Sequence, residues 1–390
     1  MTIVLAERLK RVKPSPTVAL TGRVARLKAE GKDIIGLGVG EPDFDTPVHI
    51  ADAGVEAIRK GFTRYTAVEG IPDLKDAIIA KFKRDNGIEY TRPQILVSTG
   101  AKQTIYNLFM SVIDPGDEVI IPAPYWVSYP DIALLAEGTP VTPYAGPDQG
   151  YKITPAQLEA AITKKTRLFM LNSPSNPTGA AYTSAELHAL GAVLRRHPDI
   201  IVATDDMYEH IYWANEPFTS FLTACPDLYD RTVTINGVSK AYAMTGWRLG
   251  YTAAPKKIAE SIDTIQSHTT SNPTSFAQYG ALAALQMDQQ IVSDMRDEFD
   301  VRRQYMLGRL NNIKNVRVVE PMGAFYFLVD IEPTQIKSVN FCEKLLSKQK
   351  VAIVPGVAFG AEHTVRFSYA TGLDVINAGM DRFEEFCNQH

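Results

Sequence analysis

Residues 95–113 read ILVSTGAKQTIYNLFMSVI and predict a strand, a tight turn and the start of a helix. Ile95–Ser98 is a short apolar run of strand type, and after Gly100 the apolar residues return at helical spacing. The middle of the chain repeats this alternation. Further runs of buried-strand type lie at 119–121, 168–171, 200–203 and 232–235, and capping boxes that begin helices lie at 154–157 and 183–186. Strands that alternate with helices predict an α/β fold whose mostly parallel sheet is covered by helices.

The composition and charge of the chain restrict the classes of protein to which it can belong. With 390 residues, 45% of them hydrophobic and 22% charged, the sequence predicts a soluble globular enzyme large enough for two domains. The net charge of -4 disfavours nucleic acid as a partner, and no apolar run is long enough for export or a membrane span. The cysteines form no C-x-x-C pair and the histidines no H-E-x-x-H motif, so we expect a cytoplasmic protein without a metal site.

Polar residues follow several of the predicted strands. In parallel sheets, ligands bind beyond the carboxyl ends of the strands. The corresponding positions here are Gly100, residues 172–176, Asp205 and Lys240. We therefore expect the functional site along this edge of the sheet.

Lys240 lies in the stretch VSKAY, residues 238–242, directly after a predicted strand. A lysine that forms an imine needs a partly dry pocket in which its amine can lose a proton. A lysine at a strand end is more often a solvated surface charge. Arg248 follows shortly afterwards and offers a planar fork for a phosphate group, which favours the chemical interpretation.

Asp205 and Tyr208 form a D-x-x-Y unit at the end of a predicted strand. A carboxylate there can keep a pyridine nitrogen protonated, and the tyrosine hydroxyl can donate to a phenolate oxygen of the same ring. A helix N-cap aspartate followed by a packing tyrosine is an equally good interpretation. Asp206 is a second candidate carboxylate, and the spacing alone leaves these alternatives open.

Four further features are candidates for ligand contacts. The turn at 98–102 precedes a helix and offers free backbone N–H groups to a phosphate, although many such turns bind nothing. The loop at 173–179 can aim the Asn176 amide at a ligand or be an ordinary loop. Trp126 can stack on a flat ring or be a core residue. Arg366 lies in an apolar strand and needs an anionic partner, either a structural carboxylate or that of a substrate.

Other site classes find no support in the sequence. Gly36, Gly38 and Gly40 suggest a nucleotide-binding loop, but Glu41 and Asp43 stand where the third glycine of G-x-G-x-x-G belongs. The chain has neither a P-loop motif nor the G-x-S-x-G motif of serine hydrolases. We therefore reject dinucleotide, P-loop and Ser-His-Asp interpretations.

Taken in order along the chain, these motifs resemble those of the fold-type I, class I aminotransferases. The likeness spans nearly the whole sequence and is greatest to the bacterial aspartate aminotransferases, including those that accept prephenate. The motifs that carry it are GEPDF (40–44), Tyr65, the turn at 100–102, NPTG (176–179), Asp205 with Tyr208, Ser239 with Lys240, and GWR (246–248).

This resemblance implies a pyridoxal 5'-phosphate (PLP) enzyme in which Lys240 is the Schiff-base lysine and moves the proton. It implies that Asp205 pairs with the ring nitrogen, that Asn176 and Tyr208 bind the phenolate oxygen, and that Trp126 stacks on the ring. Gly237 stands where relatives often carry serine, and Ser239 is the expected compensation. The implied phosphate ligands are Gly100, Ala101, Lys102, Ser239, Arg248 and, from the partner subunit of a homodimer, Tyr65.

The resemblance also implies a substrate and a reaction. The expected reaction moves the amino group of L-aspartate to 2-oxoglutarate through pyridoxamine phosphate with ping-pong kinetics, and prephenate is a candidate further substrate. The alternatives are a PLP-dependent lyase, an aminotransferase for other amino acids, and a ligand-sensing domain of a regulator. Residues expected to contact the substrate are Gly40, Trp126, Asn176 and Arg366 near the α-carboxylate, and Lys13, Ser15, Thr17 and Lys102 at the second carboxylate.

The sequence also predicts how the chain divides into domains. A charged helix from Asp297 to Leu310 leads to strand-like runs at 324–329 and 365–368, which predicts a separate α+β lobe. We expect residues 1–45 to form an N-terminal arm and part of the small domain. Residues 46–295 would form the large PLP-binding domain, and residues 296–390 the small C-terminal domain.

Overall fold

The computed structural model describes residues 3–389 and contains a seven-stranded sheet, a four-stranded sheet and a two-stranded pair. Most strands of the large sheet coincide with the apolar runs of the sequence, because a parallel sheet covered on both faces buries nearly every side chain. The strands are β1 (Ile35–Gly36), β2 (Ile95–Ser98), β3 (Glu118–Ile120), β4 (Thr139–Val141), β5 (Thr166–Asn172), β6 (Ile201–Asp205), β7 (Thr232–Gly237), β8 (Gly250–Ala253), β9 (Arg317–Val318), β10 (Tyr326–Asp330), β11 (Val351–Ala352), β12 (Val354–Pro355) and β13 (Thr364–Ser368).

The helices alternate with the strands of the large sheet. Both predicted capping boxes are formed, since the hydroxyls of Thr154 and Thr183 accept hydrogen bonds from the backbone N–H groups of Gln157 and Glu186 at 3.2 and 3.3 Å. The helices are α1 (Pro16–Ala29), α2 (Val48–Arg59), α3 (Pro72–Asn86), α4 (Ala101–Val112), α5 (Ser128–Leu135), α6 (Pro155–Ala161), α7 (Ser184–Arg195), α8 (Phe221–Ala224), α9 (Lys256–Ser267), α10 (Ser275–Gln286), α11 (Gln290–Leu310), α12 (Ser338–Gln349) and α13 (Leu373–Asn388).

The large sheet has the strand order β2-β8-β7-β6-β5-β3-β4. Its pairs are parallel except those of β8, which runs antiparallel to both β2 and β7. The predicted fold class, an α/β architecture with a mostly parallel sheet, is confirmed. Parallel pairing places Asn172 directly beside Asp205 at the carboxyl ends of β5 and β6. Polar residues from separate strands thus meet at one edge of the sheet.

A second core joins the N-terminal segment to the C-terminal part of the chain. Strands β12, β13, β10 and β9 form an antiparallel sheet, and β1 pairs in parallel with β11. This pairing places Ile35 and Leu37 in the same hydrophobic core as Phe327 and Phe383. Such packing is what the predicted grouping of residues 1–45 with the C-terminal domain requires, and the grouping itself stays a prediction.

Helix α11 connects the two cores. It begins at Gln290, before the predicted start at Asp297, because Val292 packs into the core beside α3 and α10. Farther along, Phe299 and Met306 pack into the C-terminal core. The predicted boundary at 295/296 therefore falls inside one continuous helix. Within residues 3–389, no helix combines the length and the apolar character needed to cross a bilayer.

Candidate active site

A cavity of about 530 Å³ lies at the carboxyl ends of β5, β6 and β7, where residues of α1 and the C-terminal lobe complete its wall. A concave site with a few converging polar groups is the usual form of a small-molecule site. Twelve of the predicted site residues line it: Thr17, Gly40, Ala101, Lys102, Trp126, Asn176, Asp205, Tyr208, Ser239, Lys240, Arg248 and Arg366.

Lys240 points into this cavity from the turn that follows β7. Its Nζ donates a hydrogen bond to the backbone oxygen of Gly40 at 2.6 Å. Burial lowers the pKa of the amine to about 8, although the nearby carboxylate of Glu41 opposes this shift. The interpretation of Lys240 as a solvated surface charge is therefore wrong, and an appreciable share of the amine is neutral near physiological pH.

The turn before α4 has the features of an anion site. Gly100 adopts a φ of 79°, and a Cβ at this position would lie 2.9 Å from Cζ of Arg248. Glycine thus permits both the backbone conformation and the close approach of the guanidinium. No hydrogen-bond acceptor within residues 3–389 occupies the N–H groups of Ala101 and Lys102, and the helix dipole adds positive potential there.

Asp205 lies at the base of the cavity. Its Oδ2 accepts a hydrogen bond from Tyr129 at 2.6 Å, and its Oδ1 accepts one from the backbone N–H of Met207 at 3.2 Å. Burial raises the pKa of this carboxyl to about 6. The N-cap interpretation is wrong, because turns rather than a helix follow β6. Asp206 does not line the cavity, and its side chain accepts a hydrogen bond from Thr204 instead.

Aromatic residues line the same cavity as Asp205. The hydroxyl of Tyr208 lies 3.0 Å from that of Tyr326, and burial raises the pKa of both groups, so both remain protonated. Trp126 presents its ring to the cavity, and the Nζ of Lys102 lies 4.9 Å from the centre of that ring. A cavity wall that offers a tryptophan ring and a tyrosine hydroxyl suits a flat ring that also carries an acceptor oxygen.

Arg366 is buried, and not all of its hydrogen-bond donors have a partner. Its guanidinium donates to Oδ1 of Asn176 at 2.9 Å and to the backbone oxygen of Gly38 at 2.7 Å. Its Nε has no hydrogen-bond partner, and no carboxylate within residues 3–389 forms an ion pair with it. The structural-carboxylate alternative is therefore wrong, and the open guanidinium suits an anionic ligand.

Known proteins match both this sequence and this fold. Residues 32–377 match the family model described as aminotransferase class I and II. The chain is 54% identical, over 97% of its length and 98% of the relative, to the aspartate/prephenate aminotransferase of Nitrosomonas europaea. It is 45% identical, over 99% of both sequences, to the aspartate aminotransferase of Bacillus subtilis. The crystal structure of the aspartate aminotransferase from Rhizobium meliloti has a TM-score of 0.96 at 42% identity and covers 99% of each chain. This chain belongs to the aminotransferase class I and II family.

The predicted resemblance and the predicted fold type are therefore confirmed, and the protein is a PLP-dependent aminotransferase. The relatives described above are aminotransferases, which favours transamination over lyase chemistry and over a sensing role in a regulator. The cavity itself fits PLP. Free N–H groups and Arg248 suit its phosphate, the buried Asp205 suits its ring nitrogen, and the amine of Lys240 suits its aldehyde carbon.

Some predicted residues lie outside the aminotransferase cavity of their own chain. Lys13 and Ser15 do not line it, although the Ser15 hydroxyl lies 2.9 Å from that of Thr17, which does. Gly100 does not line it either and is the N-cap residue of α4, directly before Ala101. The side chain of Tyr65 is 91% exposed. Of these, Tyr65 is the residue that was expected to act from a partner subunit.

The space around residue 237 explains why it is a glycine. A Cβ there would lie 2.9 Å from the backbone oxygen of Leu249 and 3.1 Å from Cα of Gly250. Strands β7 and β8 approach too closely at this point for a serine to enter without a shift. The hydroxyl available to a phosphate is thus that of Ser239, which lines the cavity.

Sequence analysis missed two tyrosines that shape the site. Tyr129 donates to Asp205 and Tyr326 meets Tyr208, and each of these hydrogen bonds joins residues far apart in the chain. It also missed a partly buried cluster in which ligand atoms of Asp85, Glu209 and His210 lie within 4.8 Å of one another, with Glu209 the buried member. The ammonium of Lys81 forms an ion pair with Glu209 there. That ammonium already supplies the positive charge that a metal ion would bring.

Proposed function

We propose that this enzyme transfers the amino group of L-aspartate to 2-oxoglutarate in a ping-pong reaction and also accepts prephenate. The names of relatives at 54% and 51% identity, both aspartate/prephenate aminotransferases, support these substrates. One observation carries the proposal. Lys102, Arg248 and Arg366 line the same cavity, and within residues 3–389 none of them forms an ion pair with a carboxylate. Three open cations match a phosphate and the two carboxylates of aspartate.

The first part of the proposal concerns the cofactor. The N–H groups of the α4 turn, together with Ser239 and Arg248, would hold the phosphate of PLP. Asp205 would face the ring nitrogen, Tyr208 and Asn176 the phenolate oxygen, and Trp126 one face of the ring. When bound, PLP supplies an electron-accepting ring that takes up the electron pair left by removal of the substrate Cα proton. The hydrogen bond from Tyr129 would hold the Asp205 carboxylate in place for that contact.

The second part concerns proton transfer by Lys240. Because burial lowers its pKa to about 8, its amine can act as a base near neutral pH once the incoming substrate has released it. The hydrogen bond to the backbone oxygen of Gly40 limits where Nζ can lie. Arg366 would meanwhile hold the substrate α-carboxylate, and Lys102 with Thr17 the distal one. Lys13 and Ser15 are proposed to join this group from the segment before α1.

The third part concerns a homodimer whose sites are shared. We propose that Tyr65 reaches the cofactor phosphate of the partner subunit. Its exposure, and the fact that it does not line the cavity of its own chain, support this assignment. Exposed apolar side chains lie nearby on α2 and the segment after it, namely Val48, Ile58 and Phe62, and such a patch favours burial against a second chain. The division into domains at 45/46 and 295/296 is proposed on the two cores described above, and the cytoplasmic location stays a prediction.

Substitution of Lys102 by methionine tests the substrate proposal. The change keeps the backbone N–H at the phosphate turn and removes only the distal cation. We expect kcat/KM for aspartate to fall by roughly tenfold or more, since a hydrogen bond to a charged group contributes about 1.5–3 kcal/mol, whereas kcat/KM for alanine should stay unchanged. Lys257→Met, on the exposed face of α9, is the matched control. Equal losses for both substrates would contradict dicarboxylate recognition, and release of pyruvate and ammonia from a β-substituted amino acid would favour a lyase.

A further inference from the structure

Two glutamines on neighbouring helices are fully buried. They are Gln266 on α9 and Gln278 on α10, although proteins leave most glutamines exposed. Both side-chain amides face the irregular segment 61–71, which joins α2 to α3 and carries Tyr65. Neither glutamine lines the cofactor cavity. Both instead form hydrogen bonds to this segment and to the residues packed around it.

Gln278 holds this segment at two points, in its middle and at its end before α3. Its Oε1 accepts a hydrogen bond from the backbone N–H of Ile71 at 2.8 Å. Its Nε2 donates to the hydroxyl of Thr66 at 3.1 Å and to the backbone oxygen of Pro273 at 3.0 Å. Thr66 is the residue next to Tyr65. Gln278 thus holds the side chain of the residue next to the exposed tyrosine.

Gln266 connects the middle of the segment to the large sheet. Its Nε2 donates to the backbone oxygens of Val68 and Val97, each at 2.8 Å. Its Oε1 accepts from the hydroxyl of Ser98 at 2.6 Å and from Nδ2 of Asn107 at 3.2 Å. These bonds use the full capacity of the amide. Val97 and Ser98 belong to β2, which leads directly into the phosphate turn at Gly100, so Gln266 joins that turn to the segment.

The segment combines a fixed backbone with exposed side chains. Gly70 has a φ of 100°, and a Cβ there would lie 2.7 Å from Cγ2 of Val97, so the chain has no room to move inward. The side chain of Tyr65, in contrast, is 91% exposed. A group that is held in place before it meets its ligand loses less conformational entropy on binding.

We infer that Gln278, supported by Gln266, is a positioning residue that presents the Tyr65 hydroxyl to the PLP phosphate of the partner subunit. This inference rests on the shared site proposed above. Gln278 acts through the Thr66 hydroxyl and the backbone N–H of Ile71, and it does not line the cofactor cavity. The substrate and the chemistry of the reaction are unaffected by this role, which concerns retention of the phosphate.

A double-mutant cycle between Tyr65→Phe and Gln278→Met tests the inference. The assay measures the dissociation constants of PLP and of pyridoxal, which lacks the phosphate, from the full-length enzyme. Each single variant should raise the dissociation constant of PLP by roughly tenfold, as expected for the loss of one hydrogen bond to a charged group. The dissociation constant of pyridoxal should stay unchanged. The double variant should bind PLP no less tightly than the single variant with the larger dissociation constant, because both changes remove the same contact.

Two further variants keep the test decisive. Gln286→Met makes the same substitution at the exposed end of α10 and should change neither dissociation constant. Thr66→Val removes only the hydroxyl that Gln278 contacts, so it gives the answer if Gln278→Met does not fold. Parallel weakening of PLP and pyridoxal, or additive losses in the cycle, would overturn the inference. If Tyr65→Phe alone leaves PLP affinity unchanged, the shared site itself fails. If Tyr65→Phe weakens PLP and both Gln278→Met and Thr66→Val do not, only the positioning role fails.

Discussion

Replacement of Asp205 by asparagine should separate the stability of the apoenzyme from its activity. Burial raises the pKa of this carboxyl from 3.8 to about 6, so the folded protein binds its proton more tightly than the unfolded chain does. For an acid whose pKa is raised on folding, the free energy of unfolding falls as the pH rises from about 4 to about 6 and then stays level. A shift of about two units corresponds to about 3 kcal/mol. At pH 7 the asparagine variant lacks this penalty.

We therefore expect apo Asp205→Asn to unfold at a higher urea concentration than the apo wild type at pH 7, with the difference vanishing below about pH 4. In the holoenzyme the same substitution should be harmful, because it should lower kcat. Loss of a buried charge partner costs about 3–5 kcal/mol, which corresponds to a decrease in kcat of roughly 10²–10³-fold or more.

The neighbouring Asp206→Asn variant is the control. Burial raises the pKa of Asp206 to about 8, so its carboxyl is largely protonated at pH 7 and the amide replaces it with little change. Its side chain does not line the cavity, so we expect near-normal kcat, and the variant is a control for catalysis. Because the unfolded chain ionises this carboxyl at pH 7 whereas the folded protein keeps it protonated, apo Asp206→Asn should, like apo Asp205→Asn, be more stable than the apo wild type. Near-normal kcat in Asp205→Asn, or a loss of apoenzyme stability at pH 7, would refute the reasoning.

Three further predictions follow from individual contacts. Lys240→Ala should lose turnover and the visible absorption of bound PLP while keeping its circular dichroism spectrum, and wild-type apoenzyme should bind PLP more slowly as the pH falls below about 8, where the amine becomes protonated. Arg366→Gln should lower kcat/KM for both aspartate and alanine by roughly tenfold or more, since both carry an α-carboxylate, and a loss confined to aspartate would contradict its assignment. Gly237→Ser should destabilise the fold by about 1–3 kcal/mol in thermal unfolding, because its Cβ would meet the backbone oxygen of Leu249, and an unchanged midpoint would show that the strands can separate there.

Local patterns account for the parts of the fold that the sequence predicted well. The capping boxes at Thr154 and Thr183 need only residues within one helical turn, and both are formed. Strand β8 was missed because its short GYTA sequence becomes a strand through pairing with β2 and β7. The start of α11 was misplaced because it depends on where Val292 packs.

In the site, too, local motifs predicted some features, whereas others depend on contacts between residues far apart in the sequence. Most residues of the predicted cofactor motifs line one cavity, but contacts across the fold decided what the motifs left open. Tyr129 reaches Asp205 over 76 residues of sequence, and Tyr326 reaches Tyr208 over 118. The choice between Asp205 and Asp206 follows from the end of β6, where successive side chains point to opposite sides. No spacing rule contains that information.

The absorption spectrum of the purified enzyme during addition of L-aspartate, without any keto acid, tests the central claim most directly. The account predicts a visible band from the bound cofactor, which aspartate converts to the band of pyridoxamine phosphate because the enzyme can complete one half-reaction alone. A band that alanine converts and aspartate does not would contradict the proposed substrate. If no band appears even after PLP is supplied, the assignment of Lys240, Asp205 and Arg248 to a cofactor site is wrong.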